Sequence, residues 1–163
     1  MGGTDAFEAL AAGFDYPMFV ATTVHAGEPA GCLVGFATQV SIDPARFLVA
    51  ISDKNHTYRV AKRADRLAVH VLARTQRQLA TLFGAQTADE VDKFDRCRWH
   101  PGPDGVPVLD DALGWFSGPI LERVRLGDHV GHVLAPDAGA PPANDAALLT
   151  FRDVRDLDPG HTA

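Results

Sequence analysis

The 163-residue chain has only two cysteines, Cys32 and Cys97, far apart in sequence. A disulfide framework is therefore not expected, and reduced thiols are. No basic stretch followed by an apolar one opens the chain, so no signal peptide is expected and a cytoplasmic location is. Positive charge is also scarce. Lys and Arg number 15 against 21 Asp and Glu, a net charge of -6. That argues against a nucleic-acid binder, which usually shows a basic face. No apolar run approaches the ~20 residues of a membrane span, so no membrane partner is expected. Serine falls to three, Ser41, Ser52 and Ser117, none within G-x-S-x-G, which argues against a hydrolase nucleophile. Neither a P-loop nor a dinucleotide-binding glycine pattern occurs. What is present is a globular composition, 46% apolar and 22% charged, in one domain's length of chain.

The pattern along the chain alternates short strands with turns. Thr4 to Gly13 reads as a short helix that Asp5 could cap. Met18 to Val24 is a strand ending at the turn Ala26-Gly27. A second strand runs from about Ala30 to Val40, and a third covers Phe47 to Ile51 after Asp43-Pro44. A short helix is expected from Thr57 to Arg63 and a strand over Leu67 to Leu72. Thr75 to Gln78 fits a capping box for a helix carrying Leu79, Leu82 and Phe83, ended by Gly84. Thr87 to Glu90 fits a second one, opening a helix through Phe94. Pro101 to Pro107 and Ala138 to Pro142 read as loops. Leu113 to Leu126 and His129 to Leu134 are strands joined at Gly127-Asp128. Leu148 to Phe151 reads as a last strand, and the tail from Pro159 as frayed. Strands joined mainly by turns predict a mainly β fold, an antiparallel closed or nearly closed barrel with a few short peripheral helices.

Two segments carry possible chemistry. Ser52, Lys54, Asn55, Thr57 and Arg59 lie between a strand and a helix, where backbone amides and positive charge suit a phosphate monoester; the alternative is a capped helix with solvated basic residues. The strand Gly31 to Thr38 is rich in small residues, which leaves room for a flat aromatic ring against its backbone or for tight packing. The seven histidines show no ligand spacing. His129 and His132, three apart on a strand, point to opposite faces, so no metal site is expected.

In order, these segments resemble the flavin reductase family, whose fold is the FMN-binding split barrel, from about Phe14 to Leu157. Tyr16-Pro17-Met18-Phe19-Val20 with Thr22-Thr23 looks like the opening strand, and Gly31 through Ser41-Ile42-Asp43-Pro44 like the second. Asn55-His56-Thr57, Phe83, Asp92-Lys93-Phe94, Trp99, Gly105, Pro107 and Leu109 follow the family's order. Gly127-Asp128-His129 matches its Gly-Asp-His signature. The resemblance implies hydride transfer from NADH or NADPH to FMN or FAD, with the flavin near the interface of a homodimer and a monooxygenase as a partner for the reduced flavin. It implies flavin contacts from Leu33, Val34, Gly35, Phe36, Ser41 and Phe94 besides the 52–59 segment, and a catalytic contact from His129. The family commonly has hydroxyl side chains where Leu33, Gly35 and Phe36 stand, and Ala45 replaces a second proline. The alternatives are a non-catalytic flavin carrier and a split-barrel oxidoreductase using a deazaflavin.

Overall fold

A computed structural model describes residues 2–85 and 92–157. The elements are α1 Gly3–Ala11, β1 Phe19–His25, β2 Glu28–Val34, β3 Ala37–Ser41, β4 Arg46–Ser52, α2 His56–Ala61, β5 Arg66–Val71 and α3 Arg77–Gly84. After these come β6 Trp99–Pro101, β7 Pro107–Leu109, β8 Gly114–Arg125, β9 His129–Leu134, β10 Ala138–Ala140 and α4 Phe151–Val154. Every ladder is antiparallel.

The main sheet runs β2-β1-β5-β8-β9-β4-β3, with β10 on β8. Its two ends, β2 and β3, are consecutive in the chain. The expected single strand 30–40 is bent at Gly35-Phe36: its first part pairs with β1 and its second with β4. The Phe36 carbonyl accepts from the Ala50 amide at 2.8 Å and holds the bend against β4. One bent segment thus belongs to both ends of the sheet, and the sheet curls round on itself. β8 behaves similarly. Gly114 to Pro119 pairs with β5, and Ile120 to Arg125 pairs with β9, with a register shift between Ile120 and Glu122.

Curling creates an inside and an outside, and β1 is covered on both. Phe19 and Ala21 face inward with Cys32, Val34, Val49, Ile51, Leu67, Val69 and Leu134. Met18 and Val20 face outward, under Ala80, Leu82 and Phe83 of α3, with Phe94, Leu109, Leu149 and Val154. This is why β1 reads as a continuous apolar run rather than an alternating one. The β1–β2 turn is the two-residue hairpin that Ala26-Gly27 predicts, with both residues at positive φ (50° and 79°).

Several local expectations are corrected. Gly2, not Asp5, is the N-cap of α1, with no side-chain bond. The capping box at Thr75 does not form; α3 starts from Gln76, whose Oε1 instead accepts from the Ala73 amide. The 101–107 loop is a small hairpin, because β6 and β7 pair across a 3-10 turn at Pro103–Gly105. The 138–142 loop begins with β10, which takes up a free edge of β8. The last strand reduces to two isolated bridges, Ala73 with Leu148 and Pro17 with Thr150, after which Thr150 and Asp153 form a capping box for α4. The helix expected from Thr87 falls largely outside the described residues, as does the tail. Its end, Lys93–Asp95, is a 3-10 turn capped by Asp92.

Candidate functional site

The last register pair of β4 and β9 is Ser52 with His129. Beyond it, the Asp53 amide donates to the Asp128 carbonyl at 2.9 Å, so the 53–55 loop and the Gly127-Asp128 turn lie together. The Asp128 carboxylate lies 2.7 Å from His129 Nδ1. That hydrogen bond holds the Asp128 carboxyl below the usual range, with Lys54 contributing. A carboxylate only accepts, so a neutral His129 ring donates from Nδ1 and leaves Nε2 to the surroundings. Phe36, brought across by the bend in 28–41, places its ring 5.1 Å from the His129 ring and is 58% exposed. Phe36, Ser52, Lys54, Asn55 and His129 are therefore neighbours, although the sequence spreads them over 94 positions, 36 to 129 inclusive.

The other expected site residues go elsewhere. The small residues of the second strand do leave room for flat rings, but the chain supplies its own. A Cβ on Gly31 would meet the Phe83 ring at 2.9 Å, and one on Gly35 would meet the Tyr16 ring at 2.5 Å. Leu33 packs with the α3 cluster and Val34 lies inside the curled sheet. Of Leu33, Val34, Gly35 and Phe36, only Phe36 offers an exposed side chain. Ser41 stands five residues further along, roughly 17 Å on an extended strand. Phe94 is buried between Phe83 and Trp99. Lys93 is buried too, donating to the Gly31 and Phe83 carbonyls at 3.2 Å each.

The 52–58 amides are largely spent internally. Lys54 N donates to Ser52 Oγ, Asn55 N to the Ser52 carbonyl, Thr57 N to Asn55 Oδ1 and Tyr58 N to the Asn55 carbonyl. Thr57 is buried beside the Cys32 thiol. The segment is thus a capped helix start first. What it presents outward are the side chains of Lys54 and Arg59, with His56 paired to Glu28 at 3.0 Å.

His132 points inward, as its spacing from His129 requires. It is buried, its Nδ1 lies 3.3 Å from the Val49 carbonyl, and its Nε2 has no partner. Among the described residues no cluster of metal ligands exists. Both cysteines are free, and burial raises both thiols, Cys97 to about 11. Neither is a thiolate near neutral pH. Sequence reasoning missed Asp53 and Arg125, which join the site only through the fold. Arg125 Nη1 donates to Asp53 Oδ2 at 3.0 Å and to the Gly127 carbonyl at 2.9 Å.

The family model described as Flavin reductase like domain matches residues 11–157. A Rhizobium meliloti (strain 1021) protein named "Probable flavin reductase" is 32% identical over 126 residues, 77% of this chain and 39% of that protein. The protein named FMN reductase (NADH) RutF of Agrobacterium fabrum is 33% identical over 132 residues, 81% of this chain and 75% of that one. The chain thus spans about two fifths of the first relative's length. Among solved structures, a flavin reductase domain protein from Arthrobacter sp. FB24 superposes with a TM-score of 0.80 at 22% identity, over 91% of this chain and 90% of that one. At that identity the likeness speaks for the fold.

Proposed function

The chain belongs to the flavin reductase like domain family, and from that premise we propose that it transfers a hydride from NADH or NADPH to FMN or FAD. The observation that carries this reading is the Gly127-Asp128-His129 turn, set against the exposed ring of Phe36. A relative named FMN reductase (NADH) at 33% identity supports it. The flavin accepts the hydride at its ring system, and the nicotinamide gives it up; the protein's part is to hold the two in contact and exclude water.

The residues fit such a ligand. Phe36 offers a flat apolar surface, His129 an outward Nε2, and Lys54 and Arg59 positive charge for the phosphate; Ser52 and Asn55 shape the loop between them. Leu33, Val34, Gly35, Thr57 and Phe94 are packed within the chain and take no part in this contact. With the 52–58 amides largely spent, phosphate recognition rests on side chains. That arrangement favours a flavin that comes and goes as a substrate, passed on when reduced to a partner monooxygenase.

The reading includes a homodimer of single-domain, split-barrel subunits in the cytoplasm. Phe36, Val40 and Ile42 along β3, with Leu121, Val124 and Leu126 around the end of β8, are exposed apolar side chains. β3 also presents a free sheet edge. A second copy covers such a surface at least cost. Among the described residues no helix is long and apolar enough to cross a membrane.

The deciding measurement is oxidation of NADH and NADPH with added FMN and FAD. The expected result is a rate that saturates with flavin. Flavin binding without pyridine-nucleotide oxidation would leave the carrier reading, which the absence of hydroxyls at Leu33, Gly35 and Phe36 favours.

A further inference from the structure

We propose that Arg125 is a positioning residue for His129, acting through the Asp53 carboxylate and the Gly127 carbonyl. The inference rests on the hydride-transfer reading above and adds a residue to it. The ladder between β4 and β9 ends at Ser52 and His129, and the β8–β9 hairpin closes with the Leu126 amide on the His129 carbonyl at 2.9 Å, so only Gly127 and Asp128 lie outside the sheet's own bonds. Gly127 sits at φ 133°, with no Cβ to restrict it and no atom within 4 Å of where one would be. With its base closed by the hairpin, such a two-residue tip still has more freedom at the glycine than at any other residue, and further ties narrow it.

Arg125 supplies the tie. One nitrogen, Nη1, reaches both Asp53 Oδ2 on the facing loop and the Gly127 carbonyl at the head of its own turn. Asp53 closes the loop from the other side by donating its amide to the Asp128 carbonyl. The 53–55 loop and the 127–128 turn become one unit, in which the Asp128 carboxylate lies 2.7 Å from Nδ1 of its chain neighbour His129. The Tyr58 hydroxyl also interacts with the guanidinium. Arg125 itself is two residues from the turn and does not touch His129. Its effect is to hold the carboxylate that selects the Nδ1–H form of the ring, so that Nε2 faces the ligand.

A double-mutant cycle with Arg125→Met and His129→Ala tests this. Arg125→Met should lower kcat/KM for NAD(P)H about two- to tenfold, the range of one ordinary hydrogen bond, with a smaller change in the flavin KM through the neighbouring Lys54. In the His129→Ala background the same substitution should do nothing further, because the two act as one unit. Arg125→Lys, which keeps a donor and the charge, should recover part of the loss. Nitrogen-15 spectra of the histidine side chains give a readout that needs no turnover: His129 should hold the Nδ1–H tautomer in the parent protein and a mixture in Arg125→Met. Additive effects in the cycle, or an unaltered tautomer in Arg125→Met, would overturn the role of Arg125 and leave the hydride-transfer reading standing. Unchanged kinetics in a folded His129→Ala protein would remove the contact assigned to His129, and the proposal with it.

Discussion

His70 is fully enclosed between β1 and the strand at 107–109. Its Nδ1 lies 3.0 Å from the Val20 carbonyl, and its Nε2 accepts from the Leu109 amide at 3.0 Å. The neutral ring satisfies both neighbours. A second ring proton would face the Leu109 N–H and end that bond. Burial accordingly pushes the imidazole down to about 4. The folded chain then resists protonation that the unfolded chain, near 6.5, accepts. Stability attributable to His70 is complete above about pH 6.5 and is lost as pH falls toward 4, an effect of about 3 kcal/mol. His132, also buried and also shifted down, adds in the same direction. Urea unfolding measured between pH 7.5 and 4 should show this slope. A His70→Gln protein should show a shallower one, and equal slopes in the two proteins would exclude the assignment.

Lys93 decides how α3 docks on the curled sheet. Its ammonium joins the carbonyl of Phe83, in the last turn of α3, to that of Gly31 in β2, and burial lowers its pKa. Lys93→Met keeps the stem packed but leaves two carbonyls without that donor, at a cost of about 2 kcal/mol. The melting temperature should fall by about 4–8 °C, with flavin kinetics at 25 °C little changed because Lys93 lies outside the proposed site. An unshifted melt would mean that water replaces the ammonium there. The α2 start makes a different prediction. Since its amides are largely occupied, the flavin phosphate is assigned, in the proposed reading, to Lys54 and Arg59. FMN should bind about tenfold more tightly than riboflavin at low salt, about 1.4 kcal/mol, and salt should erode that advantage through screening. Titrations of both flavins at two ionic strengths check it; equal affinities at low salt would remove these side chains from the phosphate contact.

The assembled chain leaves β3 and the outer half of β8 with exposed apolar side chains and an open edge. Light scattering after size exclusion should give about twice the 17.4 kDa chain mass. Val40→Lys with Ile42→Lys, two exposed positions, should release monomers that stay folded. A monomeric parent protein that binds flavin with full activity would contradict an interface site.

Local pattern alone carried much of this. β-branched runs and turn residues located most of the main strands, because hairpin geometry is set by residues such as Ala26-Gly27 and Gly127-Asp128. The order of those segments pointed to the family. The opposite faces of His129 and His132 came from strand periodicity. What local pattern could not carry was the bend at Gly35-Phe36, since a strand and a bent strand read alike until β1 and β4 claim separate halves of it. Nor could it say that Phe83 and Tyr16 would fill the spaces above Gly31 and Gly35. A glycine leaves the same gap for a ligand as for a ring from its own chain, and only packing chooses. Capping patterns misled where a competing partner was nearer in space, as with Gln76 and the Ala73 amide. Asp53 and Arg125 were invisible for the same reason, because an ion pair between residues 72 apart in sequence exists only once β4 and β9 have brought two turns to the same end of the sheet.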